Sequence, residues 1–95
     1  MSEYNWQWEP GAGPHEWLRD KSGIVGRRRM AKSGSASASA SIGHIEPIGT
    51  GWTVSAWIPT RELAVLPSTM TRDEVKAVAK IILISEYHAQ VARHD

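Results

Sequence analysis

Ile42-Gly43-His44-Ile45-Glu46-Pro47-Ile48-Gly49-Thr50-Gly51-Trp52-Thr53-Val54-Ser55-Ala56-Trp57-Ile58 reads as two strands folded back on each other. Gly49-Thr50-Gly51 is the turn between two apolar runs, the pattern of a β-hairpin. An extended backbone sends alternate side chains to opposite faces. Trp52, Val54, Ala56 and Ile58 therefore share one face, with Thr53, Ser55 and Trp57 on the other. The Val54 face is the expected core side, which leaves Trp57 opposite it, beneath the N-terminal segment or in solvent. Downstream, Pro59-Thr60 turns the chain, Leu63-Ala64-Val65-Leu66 forms a short strand, and Pro67 stops it.

Thr71-Arg72-Asp73-Glu74 is a capping box, and its acids favour the positive end of a helix. A helix from Arg72 to about Ala92 follows. Val75, Val78, Ala79, Ile82 and Ala89 make one stripe, expected to pack on the sheet. Leu83, Ile84, Tyr87 and Val91 cluster on roughly the opposite side, flanked by Lys76 and Lys80. One helix on one sheet cannot bury both stripes. The second stripe therefore predicts cover from the N-terminal segment, a homodimer, or another protein partner.

Toward the N-terminus the pattern weakens. Pro10-Gly11-Ala12-Gly13-Pro14 cannot continue a helix or a central strand, so residues 1–16 read as an irregular aromatic arm. Tyr4, Trp6, Trp8 and Trp17 surround that run, and Trp6 and Trp8 either fold back to complete the core or form a stacking or docking surface. Residues 17–95 read as a single domain. Within it, Gly23-Ile24-Val25-Gly26 opens a strand through the arginines to Ala31, placing Arg27 and Arg29 on one face and Arg28 and Met30 on the other. Ser35–Ser41 alternates Ala with Ser, which is either a linker or a strand. A loop from Lys32 to about Ser39, then a strand from about Ala40, reconciles the two. The expected fold is α+β: a three- to four-stranded antiparallel sheet covered by one long C-terminal helix.

Composition narrows the chemistry. Five Trp and two Tyr supply the aromatic burial in a chain of 95 residues without Phe, and without Cys no disulfide or thiolate site can staple it. The absence of a long apolar run predicts a protein without a membrane span, and Met1-Ser2-Glu3-Tyr4 lacks the basic and apolar parts of a signal peptide, so a cytoplasmic location is expected. His44 and Glu46 would share a strand face, but two ligands make only half a metal site. His88 and His94 do not share a helix face. No nucleophile elbow, phosphate loop or paired carboxylates stand out, so the chain reads as a non-enzyme with no cofactor and no metal. The charge is nevertheless uneven. Arg19, Lys21, Arg27, Arg28, Arg29 and Lys32 face a single acid, Asp20, giving residues 19–32 a charge of +5 in a chain of net +1. Such a concentration points to an anionic partner, whether nucleic acid, a phosphate-rich ligand or an acidic protein surface, although the pI of 8.2 is modest for a nucleic-acid binder. The alternative for the Arg run is a solvated edge strand protected by charge.

Ile45-Glu46-Pro47-Ile48-Gly49-Thr50-Gly51-Trp52-Thr53-Val54, followed by Thr71-Arg72-Asp73-Glu74-Val75 and Ala77–Ala79, resembles the β-β-β-α unit of HicB-type antitoxins over about half of the chain. It departs from them at Trp57-Ile58-Pro59-Thr60-Arg61, where that family carries Pro-Asp-Leu-Pro-Gly, and it has no appended DNA-binding domain. The same order is similar to the arm-binding domain of phage-type integrases, where a three-stranded sheet enters the major groove and a helix packs behind. Both resemblances imply an α+β layer and a phage or mobile-element setting. Three readings of function follow. The first is a small binding protein, an inhibitor or adaptor of anti-defence type, that occupies a surface of a host protein or nucleoprotein complex through Leu83, Ile84, Tyr87, Val91 and the surplus Trp. The second is direct nucleic-acid binding through Arg27, Arg28, Arg29 and Lys32, with Trp57 stacking. The third is a structural role.

Overall fold

The computed structural model describes residues 3–34 and 39–94. In chain order the elements are β1 (Trp6–Pro10), β2 (Glu16–Asp20), α1 (Ile24–Ser33), β3 (Ser41–Ile48), β4 (Gly51–Ala56), β5 (Arg61–Pro67) and α2 (Arg72–His94). The strands form one antiparallel sheet in the order β1-β2-β3-β4-β5. Each strand thus pairs with its neighbour in sequence, and α2 lies across one face.

The hairpin at the centre of the chain forms where the turn residues put it, with Ile48 opposite Gly51 and Ile45 opposite Val54. The capping box also closes: Glu74 N donates to Thr71 Oγ1 at 3.2 Å and Thr71 N to Glu74 Oε1 at 2.8 Å. These are local features, specified by adjacent residues.

The N-terminal half differs from expectation in two ways. First, the irregular arm is a hairpin, so the sheet has five strands rather than three or four. Trp8 pairs with Leu18 and Pro10 with Glu16. The Pro10–Pro14 run does break the strand, but as the turn, where Gly11 N donates to His15 O at 2.9 Å. Pro10 sits on an edge strand, where a missing N–H is tolerated. Second, Ile24–Ala31 is no strand; it lies in α1. The Asp20 carboxylate accepts the Val25 amide at 3.1 Å and the Ser22 amide at 2.9 Å, satisfying donors at the start of a helix. Val25 then enters the core and Arg29, one turn on, points the same way. Gly34, with φ of 71°, closes α1 by donating to Met30 O at 2.7 Å. Of the Ala/Ser alternation, residues 35–38 lie outside the described residues, and β3 begins at Ser41.

The core comprises Leu18, Val25, Ile42, Ile45, Val54, Val75, Ala79, Leu83 and Tyr87. α2 therefore buries Val75, Ala79, Leu83 and Tyr87, drawn from both expected stripes. Steps of four residues drift by about 40° each around a helix, so this row winds to follow a twisted sheet. Leu83 and Tyr87 are 1% and 6% exposed within the monomer, so they are not a dimer surface. Ile84 and Val91 are half-buried against the same core. Tyr4 and Trp6 stack on each other at 5.0 Å, and each meets the Tyr87 ring edge-on at 5.8 Å. Burial, reinforced by the neighbouring Tyr4 hydroxyl and opposed by Arg28 and Arg29, pushes the Tyr87 hydroxyl up to about 12. Val78 and Ile81 instead face outward, 36% and 69% exposed. Glu16 on β2 holds the start of α2 through Arg72 at 2.7 Å and Lys76 at 3.1 Å, and Glu86 near its other end binds Arg61.

Candidate functional site

Covering one face of the sheet with α2 leaves the other for the alternate residues. Register sets them side by side: Trp17 opposite His44, His44 opposite Ser55, Glu46 opposite Thr53, and Thr53 opposite Val65. Trp57, just past β4, falls on this face as the alternation requires. Its amide still reaches Ile42 O at 3.0 Å, which keeps the residue against β3.

Four rings meet there. Trp17 lies 4.5 Å from His44, centroid to centroid, at 31°. It meets Trp57 edge-on at 5.5 Å and 84°. His15, from the β1–β2 turn, stacks on His44 at 5.8 Å and 15°. All four side chains are partly exposed. Thr53 and Ser55, both 9% exposed, form a low floor beside them.

His15 Nε2 lies 2.7 Å from Glu46 Oε2. His44 and Glu46 do share a face, and a second histidine joins them. Among the described residues, however, no three such groups converge as a metal site. Burial holds the His44 imidazole below its ordinary range, with the Glu46 charge opposing and His15 reinforcing the shift. An imidazole whose folded pKa is depressed binds fewer protons folded than unfolded near that pKa. Its contribution to stability is complete above the ordinary value of about 6.5 and is lost as pH falls toward the lower folded value. Urea midpoints measured between pH 7.5 and 5.5 should therefore fall more for the wild type than for His44→Gln.

The arginine run is divided by α1. Arg29 turns inward and donates to Ser39 O at 2.7 Å, Ser41 O at 2.5 Å and Trp57 O at 2.9 Å. Burial lowers its pKa, against the opposing influence of Tyr87. Arg27, Arg28 and Lys32 remain exposed at the surface. Arg29 is thus a tether that fixes a cationic helix to the Trp57 end of the aromatic face. Arg29→Ala is expected to cost about 2 kcal/mol, since three carbonyls lose a charged donor, and a lower thermal midpoint would register it. Next to the helix, Arg19, Lys21, Gly23, Gly26 and Ser39 line a cleft of about 450 Å³. Arg19 shares its face of β2 with Trp17. Lys21 is paired with Glu9, and Arg19 lies 3.7 Å from the same carboxylate.

Of the residues singled out in the sequence, Trp57 therefore joins Trp17 and His44, while Arg27, Arg28 and Lys32 stand at the adjoining end. Leu83, Ile84, Tyr87 and Val91 belong to the core side. Trp17, His15, His44 and Arg19 emerge only with the first hairpin. Their signal was the alternation of Trp17 with Arg19 and of His44 with Glu46. Protein-family models, curated proteins and solved structures give no match to this chain. No helix among the described residues is long and apolar enough to cross a membrane.

Proposed function

We propose that the protein is a small non-catalytic binding protein, an inhibitor or adaptor of phage or mobile-element type. It acts by occupying a surface of another macromolecule with the sheet face opposite α2. The observation that carries this reading is the contiguous set Trp17, Trp57, His44 and His15, partly exposed on a face that α2 does not cover. Trp is enriched at interaction hot spots because it offers a large, rigid contact area with one polar group. The four rings are held by one another and by strand pairing, so the surface is preorganised and little freedom is lost on binding.

Affinity purification of the wild type beside a Trp17→Ser/Trp57→Ser variant tests the assignment. An Ile81→Ser variant, altered on the outer side of α2, serves as control. The wild type and Ile81→Ser should enrich the same macromolecules, which the double variant loses while retaining its native circular dichroism. An identical set from all three proteins would place the contact surface elsewhere.

A further inference from the structure

Building on that reading, we propose that the occupant of the aromatic face is single-stranded nucleic acid. Its bases stack on Trp17, Trp57 and His44, and its phosphates pass over Arg19 to the exposed cations of α1. The first ground is the arrangement of charge. The +5 segment, residues 19–32, joins the end of β2 to the start of β3, so its charge gathers at one end of the sheet. Arg19 lies two residues from Trp17 on the same face, a step of about 7 Å along a strand. Arg29 binds both the start of β3 and the Trp57 carbonyl, so Arg27, Arg28 and Lys32 are held in fixed relation to the rings.

The second ground is the placement of the acids. Asp20 borders the cleft, but its carboxylate is engaged by the amides of Asn5, Ser22 and Val25. Glu46 is engaged by His15, and Glu9 by Lys21. Glu62 lies on β5, across Ser55, on the side of the face away from Trp17. An anionic strand is therefore directed over β2 and the Ser41 end of β3, beside Arg19, rather than over β5. Gly23 and Gly26 line the cleft, and the Arg27 guanidinium lies over Gly23, which brings that cation to the cleft.

The third ground is the alternation of ring and cation. A single strand presents π-faces and anions in turn, and stacking on aromatic platforms beside a basic groove is how such strands are held without sequence preference. A duplex keeps its bases stacked on each other and offers these rings nothing. An acidic protein surface would satisfy the cations without matching this alternation of ring and cation.

Fluorescence anisotropy of a labelled oligothymidylate of about twelve nucleotides, titrated with the full chain across a range of salt, tests the proposal. The single strand should bind at least tenfold more tightly than a duplex of the same length. Four phosphate contacts predict a slope of log affinity against log salt of about −2.8, and the Arg27→Ala/Arg28→Ala/Lys32→Ala variant should reduce it to about −0.7. Trp57→Ala should weaken binding at least fivefold while leaving the slope unchanged. Because the α1 cations are on the surface, the triple variant reports on binding even if Trp57→Ala proves unstable. Equal affinity for duplex and single strand, or a salt slope unchanged in the triple variant, overturns the proposal. If purified partners are lost with Trp17→Ser/Trp57→Ser while the oligonucleotide never binds, the nucleic-acid occupant is refuted and the face remains a protein-docking surface.

Discussion

The Gly43→Val substitution is expected to remove about 3 kcal/mol of stability or more, a large share of what a domain of this size has. A Cβ at position 43 would stand 2.3 Å from Leu83 Cδ2 and 2.5 Å from the Ser55 carbonyl oxygen. Leu83 is 1% exposed and lies in the row that seats α2, so it has little room to retreat. The Ser55 carbonyl belongs to β4, the strand paired with β3 at this position, and moving it disturbs the ladder. Even Gly43→Ala should lower the urea midpoint, by an amount corresponding to about 2 kcal/mol. Combining Gly43→Ala with Leu83→Ala should cost less than the sum of the single changes, because the smaller residue 83 relieves one of the two clashes. Strict additivity, or an unchanged midpoint in Gly43→Ala, would mean that α2 does not rest on Gly43.

Asp20→Ala is the second substitution expected to act strongly, with a loss of about 3 kcal/mol. Asp20 is 2% exposed. Its Oδ1 accepts the Asn5 and Ser22 amides, both at 2.9 Å, and its Oδ2 accepts the Ser22 hydroxyl at 2.7 Å and the Val25 amide at 3.1 Å. Truncation takes away the acceptor for all four donors, which join β1, the turn and the first turn of α1. Burial by itself would raise the pKa of this carboxyl. The Ser22 hydroxyl and the Asn5, Val25 and Ser22 amides outweigh that and hold it below its ordinary value. A depressed folded pKa means that its stability is complete above the ordinary value of about 3.9 and is lost as pH falls through the folded one. The wild type should therefore lose stability more steeply than Asp20→Ala in the acid limb of a pH titration. Amide exchange should also quicken first in α1, since its start loses the cap. A variant that melts with the wild type and keeps α1 protected would show that another group organises this turn.

Much of the C-terminal half could be read directly. Gly49-Thr50-Gly51 reverses the chain, Thr71 and Glu74 cap α2 reciprocally, and the alternation in β4 puts Val54 and Trp57 on opposite sides. Each depends on residues within a few positions of one another. The first hairpin was harder because Gly11–His15 makes a longer turn rich in helix and strand breakers, and the pairing partners are polar as often as apolar. Trp17, His44 and His15 could not be recognised as a cluster before that pairing was known. They come from two strands and a turn that only the β1–β2 and β2–β3 registers bring together.

The chain by itself determined that the stretch from about Ala40 to about Ala92 holds a hairpin, a third strand and a capped helix, and that the positive charge is concentrated in residues 19–32. Only the tertiary structure decided how that charge is used. A run of three arginines declares exposure but has no period, so it fits a strand or a helix equally. Asp20 capping α1, with Arg29 reaching carbonyls up to 28 residues away in sequence, settles the matter by contacts that no local pattern encodes. The same holds for α2, where the stripe expected on the sheet was Val75, Val78, Ala79, Ile82 and Ala89. The twist of the sheet and the space left by Gly43 select the row through Val75, Ala79, Leu83 and Tyr87. Helical periodicity reports which residues share a side, whereas the side that is buried is set by the surface the helix meets.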